Sequence, residues 1–262
     1  YPVYDELRSG CPVAHSDRYG GMTWITRADD VAAVAHDTTT FSSRRILPSE
    51  VPIDRRGLIL PPINLDPPDH TASRRIMLPF FSPKAMLEWE PTIRQICAGL
   101  LDGLQGRTEV DAAVEYAQEI PGDITARMLG VPLEDAPKFR VWIQDLLEVG
   151  PTYPDVARST SNHIIDYMLD LITERRRTGG EGDLVSFMLQ HEIDGQLLTD
   201  DQMARMLFLL LLAGIDTTWS AIGSSMLHLA THPEDRRRLA ADPSLVPSAV
   251  EEFLRAYSPV WV

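Results

Sequence analysis

Cysteine is nearly missing: Cys11 and Cys97 are the only two in 262 residues. That is too few for a disulfide framework, so a reducing cytoplasm is the expected setting. Positive charge is also short. Twenty-four basic against 38 acidic side chains leave a net charge of −14, which argues against nucleic acid or an anionic membrane surface as partner. No repeat, low-complexity tract, secretory leader or transmembrane segment stands out, although a first residue of Tyr1 suggests a trimmed N-terminus. Metal chemistry has little to draw on. His228 and His232 have i, i+4 spacing, but His232 precedes Pro233 and no third ligand is near in sequence. With 44% apolar and 24% charged residues, the composition is that of an ordinary globular protein, long enough for one large domain or two small ones.

The dominant stretch runs from Met203 to His232. Thr199 with Gln202 is a capping-box signature, and Pro233 is a stop, so one helix over Asp200 to Thr231 is predicted, roughly 45–50 Å long. Leu207 to Ala213 is apolar all round and is expected to be buried on every side, yet too short to span a membrane. Ala213-Gly214-Ile215-Asp216-Thr217-Thr218 interrupts it with poor helix formers and a carboxylate that is costly to bury. Two readings stay open: a solvent-facing notch, or a helix opened at a small residue so that a flat ligand can approach, with an acid and a hydroxyl beside it.

Cys11 to Val13 and Met22 to Thr26 flank the turn signal Tyr19-Gly20-Gly21 and suggest a hairpin, followed by a helix from Arg27 to His36. From Arg44 to Pro68 periodicity disappears and Pro48, Pro52, Pro61, Pro62, Pro67 and Pro68 punctuate a long loop. Its apolar content (Ile46, Leu47, Val51, Ile53, Leu58 and others) favours a lid or pocket wall. Helices are then predicted over Pro91 to Leu104, with Cys97 on its core stripe, and over Asp111 to Leu129, broken near Pro121. Others are predicted over Asp135 to Val149 and Asp155 to Arg177. Gly150 to Pro154 could move as part of an access lid, and Asp194-Gly195 supplies a turn.

Asp66-Pro67-Pro68-Asp69-His70 opens another helix, with Asp66 the expected N-cap. His70 and Arg74 share one face of it and together offer several donors to carboxylates. Near the C-terminus a helix from Ser248 to Tyr257 carries Glu252 and Arg255 as an i, i+3 pair, which on a surface is worth only about 0–1 kcal/mol.

Taken together, Asp-Pro-Pro-Asp-His-x-x-x-Arg-Arg, Phe80-Phe81-Ser82-Pro83, the Ala-Gly-Ile-Asp-Thr-Thr notch, His232-Pro233-Glu234 and the run from Asp242-Pro243 to Arg255 resemble a bacterial soluble cytochrome P-450, from about Val13 onward. The resemblance implies a mainly α fold with a small N-terminal β region and the long central helix over the haem, the chain forming one partial domain over residues 1–262. It implies haem b (iron protoporphyrin IX), with propionates held by His70 and Arg74, and Ala213, Gly214 and Thr217 against the cofactor. Asp216 would gate proton entry, Thr217 would serve the oxygen side as a hydrogen-bond donor, and Glu252–Arg255 would be a buried supporting pair. The chain stops at Val262, before the family's Phe-x-x-Gly-x-x-x-Cys-x-Gly loop, so the axial cysteine is expected beyond it and neither Cys11 nor Cys97 takes its place. The implied activity of the complete cytoplasmic protein is hydroxylation of a small apolar substrate by O₂. Electrons would come from NAD(P)H through a ferredoxin-type carrier and its reductase. The rival is an inactive fragment, or a helical ligand-binding or scaffold remnant without haem. Loop 45–65, the lid near 145–160 and Leu209 to Ala213 are the expected pocket walls.

Overall fold

The computed structural model describes residues 2–18, 21–45, 59–193 and 195–260. The chain opens with α1 (Pro2–Gly10), which the sequence reading did not anticipate. An antiparallel hairpin follows, β1 (Val13–Ser16) with β2 (Met22–Ile25), in the register Val13↔Ile25 and Ser16↔Met22. Its expected turn at Tyr19-Gly20 lies outside the described residues, as do Ile46, Leu47, Val51, Ile53 and Leu58 of the proline-rich loop. Next come α2 (Ala28–His36) and α3 (Asp69–Met77). Asp66 does not cap α3. Its carboxylate accepts from the Ser42 hydroxyl at 2.7 Å and the Ser43 amide at 2.8 Å, and Pro68 occupies the cap without a side-chain bond. These bonds tie the segment after α2 to the entry of α3.

Helix α4 (Pro83–Leu104) starts eight residues before the predicted Pro91, because the Ser82 hydroxyl caps the Ala85 amide and Pro83 suits the first turn. Its expected apolar stripe is barely covered, with Ile96 the one buried residue. Cys97 is half-buried there beside Tyr116, whose hydroxyl is pushed up by burial and by the neighbouring thiol. A π-helical turn (Ala113–Ala117) leads into α5 (Glu119–Leu129). The interruption therefore falls before Glu119, and Pro121 lies in the first turn of α5.

Helix α6 (Ala136–Gln144) runs into a second π-helical turn (Asp145–Val149), and α7 (Pro154–Thr178) returns along it. Gly150 at that junction admits no side chain: a Cβ would lie 2.7 Å from the Ala157 Cβ and 2.9 Å from the Asp145 carbonyl. A short α8 (Leu184–Met188) and the hairpin β3 (Glu192–Ile193) with β4 (Gln196–Leu197) precede α9 (Asp200–Thr231). The chain ends in α10 (Pro233–Ala241) and α11 (Val246–Ala256).

Helix α9 is the axis, packed against α5, α6 and α7. The capping box forms as predicted, the Thr199 hydroxyl accepting from the Gln202 amide N–H at 3.2 Å and the Gln202 side chain accepting from the Thr199 N–H at 2.9 Å. Met203, Leu207, Phe208, Leu211 and Ile215 are fully buried in one cluster with Phe139, Ile143, Ile164, Met168 and Ile172. Each such side chain contributes on the order of 1.5–3 kcal/mol. The helix is not buried on every side, however. Leu209, Leu210 and Leu212 are half-buried and Ala213 is exposed. Around Leu209 to Ala213 one flank of α9 meets α5 to α7, and the other is left partly open among the described residues. By length and apolar character α9 is the single described helix that could cross a membrane. A core helix passes the same test, and the packing of α9 is that of a core helix.

Candidate haem-facing site

The partly open flank of α9 carries the notch. The helix continues through Ala213 to Thr218 without opening. Its small residues do the exposing: Ala213 faces solvent, and a Cβ on Gly214 would find no atom closer than the Thr125 hydroxyl at 4.0 Å. Packing alone does not demand glycine there. The Thr217 hydroxyl donates to the Ala213 carbonyl at 2.6 Å, so its proton is already engaged.

Asp216, next to it, is about half-buried. Burial raises its carboxyl above the ordinary range, the Glu148 charge on the second π turn adds to the rise, and the neighbouring Trp219 indole partly opposes it. Desolvation and a like charge both disfavour the carboxylate, so Asp216 keeps its proton to higher pH than a free aspartate. Glu148 was not foreseen: a charge on α6's extension carries no sequence mark linking it to α9. Changing Glu148 to Gln should lower the Asp216 titration toward the ordinary carboxylate range while leaving it raised, because burial is the larger cause. Carboxyl-carbon NMR of labelled aspartate reads this directly, and an unmoved titration would remove Glu148 from the site.

His70 and Arg74 lie on one face of α3, the first half-buried and the second exposed. Neither has a hydrogen-bond or ion-pair partner among the described residues. Two unspent donors on one face suit a ligand carrying carboxylates, and no hydrogen bond or ion pair among the described residues joins them to the notch on α9. Glu252 and Arg255 do pair, in a bidentate fork at 2.6 and 2.7 Å. The expectation of burial fails: their side chains are 59% and 72% exposed, since α11 rests on α9 by one side and no described residue covers its other face. Arg255 still holds the Glu252 carboxyl below its usual range.

At the C-terminal end of α9 the rings of His228 and His232 stack, with centroids 4.1 Å apart. His228 meets the Tyr257 hydroxyl at 2.7 Å and an Asp235 oxygen at 3.0 Å, so both its nitrogens are engaged in tying α9 to α10 and α11. No cluster of three potential metal ligands occurs among the described residues. Cys11 donates to the Val13 carbonyl at 3.1 Å and Cys97 stands beside Tyr116, each away from the notch in sequence and in partners.

A family model for cytochrome P450 matches residues 142–258, from the end of α6 through α11. The vitamin D(3) 25-hydroxylase of Pseudonocardia autotrophica is 39% identical over 99% of this chain and 65% of its own length. The chain belongs to the cytochrome P450 family. Cytochrome P450 107B1 of Saccharopolyspora erythraea is 36% identical over 76% of the chain and 48% of that protein. Among solved structures, the LnmA cytochrome P450 hydroxylase of Streptomyces atroolivaceus superposes with a TM-score of 0.85 at 31% identity, covering 97% of this chain and 65% of that one. CYP109E1 of Bacillus megaterium, solved with testosterone, gives 0.85 at 29% identity, over 97% and 66%. The chain thus spans about two thirds or less of the P450s it matches. The mainly helical P450 fold is confirmed, and the family implies haem. The residues fit that group: unspent donors on α3, and small residues exposing the backbone of α9.

Proposed function

We propose that this chain is the larger part of one domain of a cytoplasmic, haem-dependent monooxygenase, which inserts one oxygen atom of O₂ into a small apolar substrate. The observation that carries the reading is the notch on α9, where a carboxyl whose protonated form burial favours and a hydroxyl stand on successive residues of a partly open, largely apolar stretch. Haem, when bound, supplies the activation of oxygen. The side chains do the rest. His70 and Arg74 hold the propionates, and Ala213 and Gly214 let the flat cofactor approach the helix backbone. Asp216 passes a proton inward. Thr217, its hydroxyl bonded to Ala213, accepts that proton's hydrogen bond and relays it by exchanging its own. The half-buried leucines Leu209 and Leu212 exclude water and meet an apolar substrate. Electrons reach the protein from NAD(P)H through a ferredoxin-type carrier and its reductase. The 262-residue stretch alone is expected to be inactive, because neither Cys11 nor Cys97 lies in the sequence context of the family's cysteine-ligand loop.

The test is Thr217→Ala in the full-length, haem-loaded protein. Proton delivery of this kind contributes about 10²–10⁴-fold. Product formed per NAD(P)H should collapse while NAD(P)H consumption persists as peroxide release, and Thr217→Ser should restore coupling. Unchanged coupling in the alanine variant would remove Thr217 from the scheme.

A further inference from the structure

A second cleft, of about 830 Å³, lies between α3, the β3–β4 hairpin and the first turns of α9. Its apolar walls come from Pro61, Leu65, Ile193, Leu198 and Met206, of which Leu198 and Met206 are only 4% and 2% exposed. On α3, Ala72 faces the cleft centrally, with Asp69 and Ser73 on one flank and Thr71 and Arg75 on the other. At about 100° per residue, His70 is turned some 160° away from Ala72. The cleft therefore uses the face of α3 opposite the proposed propionate donors. Along α9, Met206 precedes Ala213 by seven residues, about 10 Å of helix axis. The cleft and the notch share no lining residue.

Four polar side chains of the lining, Asp69, Thr71, Ser73 and Arg75, make no side-chain hydrogen bond or ion pair among the described residues. Ser73 is 6% exposed, yet its hydroxyl makes no hydrogen bond among the described residues, and it is not sealed from the cleft space. Other helical hydroxyls in the chain satisfy themselves on the carbonyl four residues back, as Ser161 and Ser225 do. Arg75 on the rim has no ion-pair or hydrogen-bond partner among the described residues. The Asp69 carboxylate stands on the opposite flank of α3, and Arg75 is the one cation among the described lining residues, so an anion is placed at the Arg75 end. A volume within the range of small-molecule pockets, apolar walls and a few convergent polar groups together define a ligand site.

We propose that this cleft binds an apolar carboxylic acid, its carboxylate on Arg75, its body on Leu65, Leu198 and Met206, and the Ser73 hydroxyl donating to an oxygen of the ligand. The site is independent of the oxygen chemistry at the notch and serves as a place where an acid of this class can bias α3 against α9.

Calorimetric titration of the full-length, haem-loaded protein with dodecanoate tests it. Saturable binding is expected. Arg75→Gln should weaken it about 10- to 100-fold, as loss of a hydrogen bond to a charged group does. Ala72→Trp, which fills the cleft, should weaken it at least about 10-fold, and Ser73→Ala by a smaller factor. Leu212→Trp, on the flank of α9, should leave this binding intact. Dodecylammonium should bind markedly less well than dodecanoate. The proposal is overturned by absence of saturable binding, by equal affinity for the ammonium and the acid, or by binding that Leu212→Trp removes and Ala72→Trp spares. Arg75 is exposed, so its variant folds and keeps the test decisive.

Discussion

Replacing Asp183 with Ala should destabilise the fold by about 3–5 kcal/mol, the usual cost of leaving one partner of a buried ion pair alone. Asp183 and Arg175 pair with side chains 6% and 14% exposed. The Asp183 carboxylate also caps α8, accepting from the Ser186 amide and hydroxyl, each at 2.9 Å. Arg175 reaches further, donating to the Gly130 carbonyl at 2.9 Å. One guanidinium thereby joins the ends of α5, α7 and α8 beneath the core. Gly130 is required at this crossing: its φ is +70°, and a Cβ would lie 2.8 Å from an Arg175 nitrogen and 2.9 Å from the Asp183 Cβ.

Asp183→Ala strands the Arg175 charge and removes the cap, whereas Asp183→Asn keeps an acceptor for the Ser186 amide and loses only the charge. The asparagine variant should fall between wild type and alanine, the cap itself being worth about 1 kcal/mol. Thermal melting followed by circular dichroism reads the series. At roughly 2–4 °C per kcal/mol for a protein of this size, the alanine variant should melt about 6–20 °C lower. If both variants melt with the wild type, the clamp contributes nothing and the corner is held by its apolar contacts.

That clamp was invisible in the sequence, for a physical reason. Helices announce themselves through local periodicity and caps. Thr199 with Gln202, Gly150 with Pro151, and His232-Pro233 all marked boundaries that the chain obeys. The notch was legible too, because Gly214, Asp216 and Thr217 violate the rule that a buried helix is filled with good helix formers. Contacts such as Arg175 with Gly130, 45 residues apart, or Glu148 beside Asp216, have no period and no cap. They exist only once the helices have docked. Burial was misjudged for a related reason. An apolar stripe predicts that a surface will be covered but not that its cover is present, so Leu209 to Ala213, the stripe of α4 and the Glu252–Arg255 pair were all expected deeper than they lie. Asp66 misled differently: its position before two prolines fits an N-cap, but Ser42 and Ser43 offered better donors.

The second large effect is expected at α3. Changing both His70 and Arg74 to Ala in the full-length protein should raise the haem dissociation constant about 10²–10⁴-fold. Hydrogen bonds to charged groups are worth about 1.5–3 kcal/mol each, and 1.4 kcal/mol is tenfold. What makes this a test of ligand binding and not of folding is that neither side chain has a partner among the described residues. Truncating both should shift the melting of the haem-free protein by no more than about 0.5 kcal/mol per site, as for ordinary surface changes. The variant should therefore lose haem faster to an apo-globin acceptor while its haem-free form melts normally. Arg74→Lys should fall between, keeping the charge but losing the planar fork that matches a carboxylate. Haem retained at the wild-type rate would separate α3 from the cofactor. A parallel fall in haem-free stability would mean that the pair supports the helix itself, and the α9 notch would then be the whole of the haem-facing site in this part of the chain.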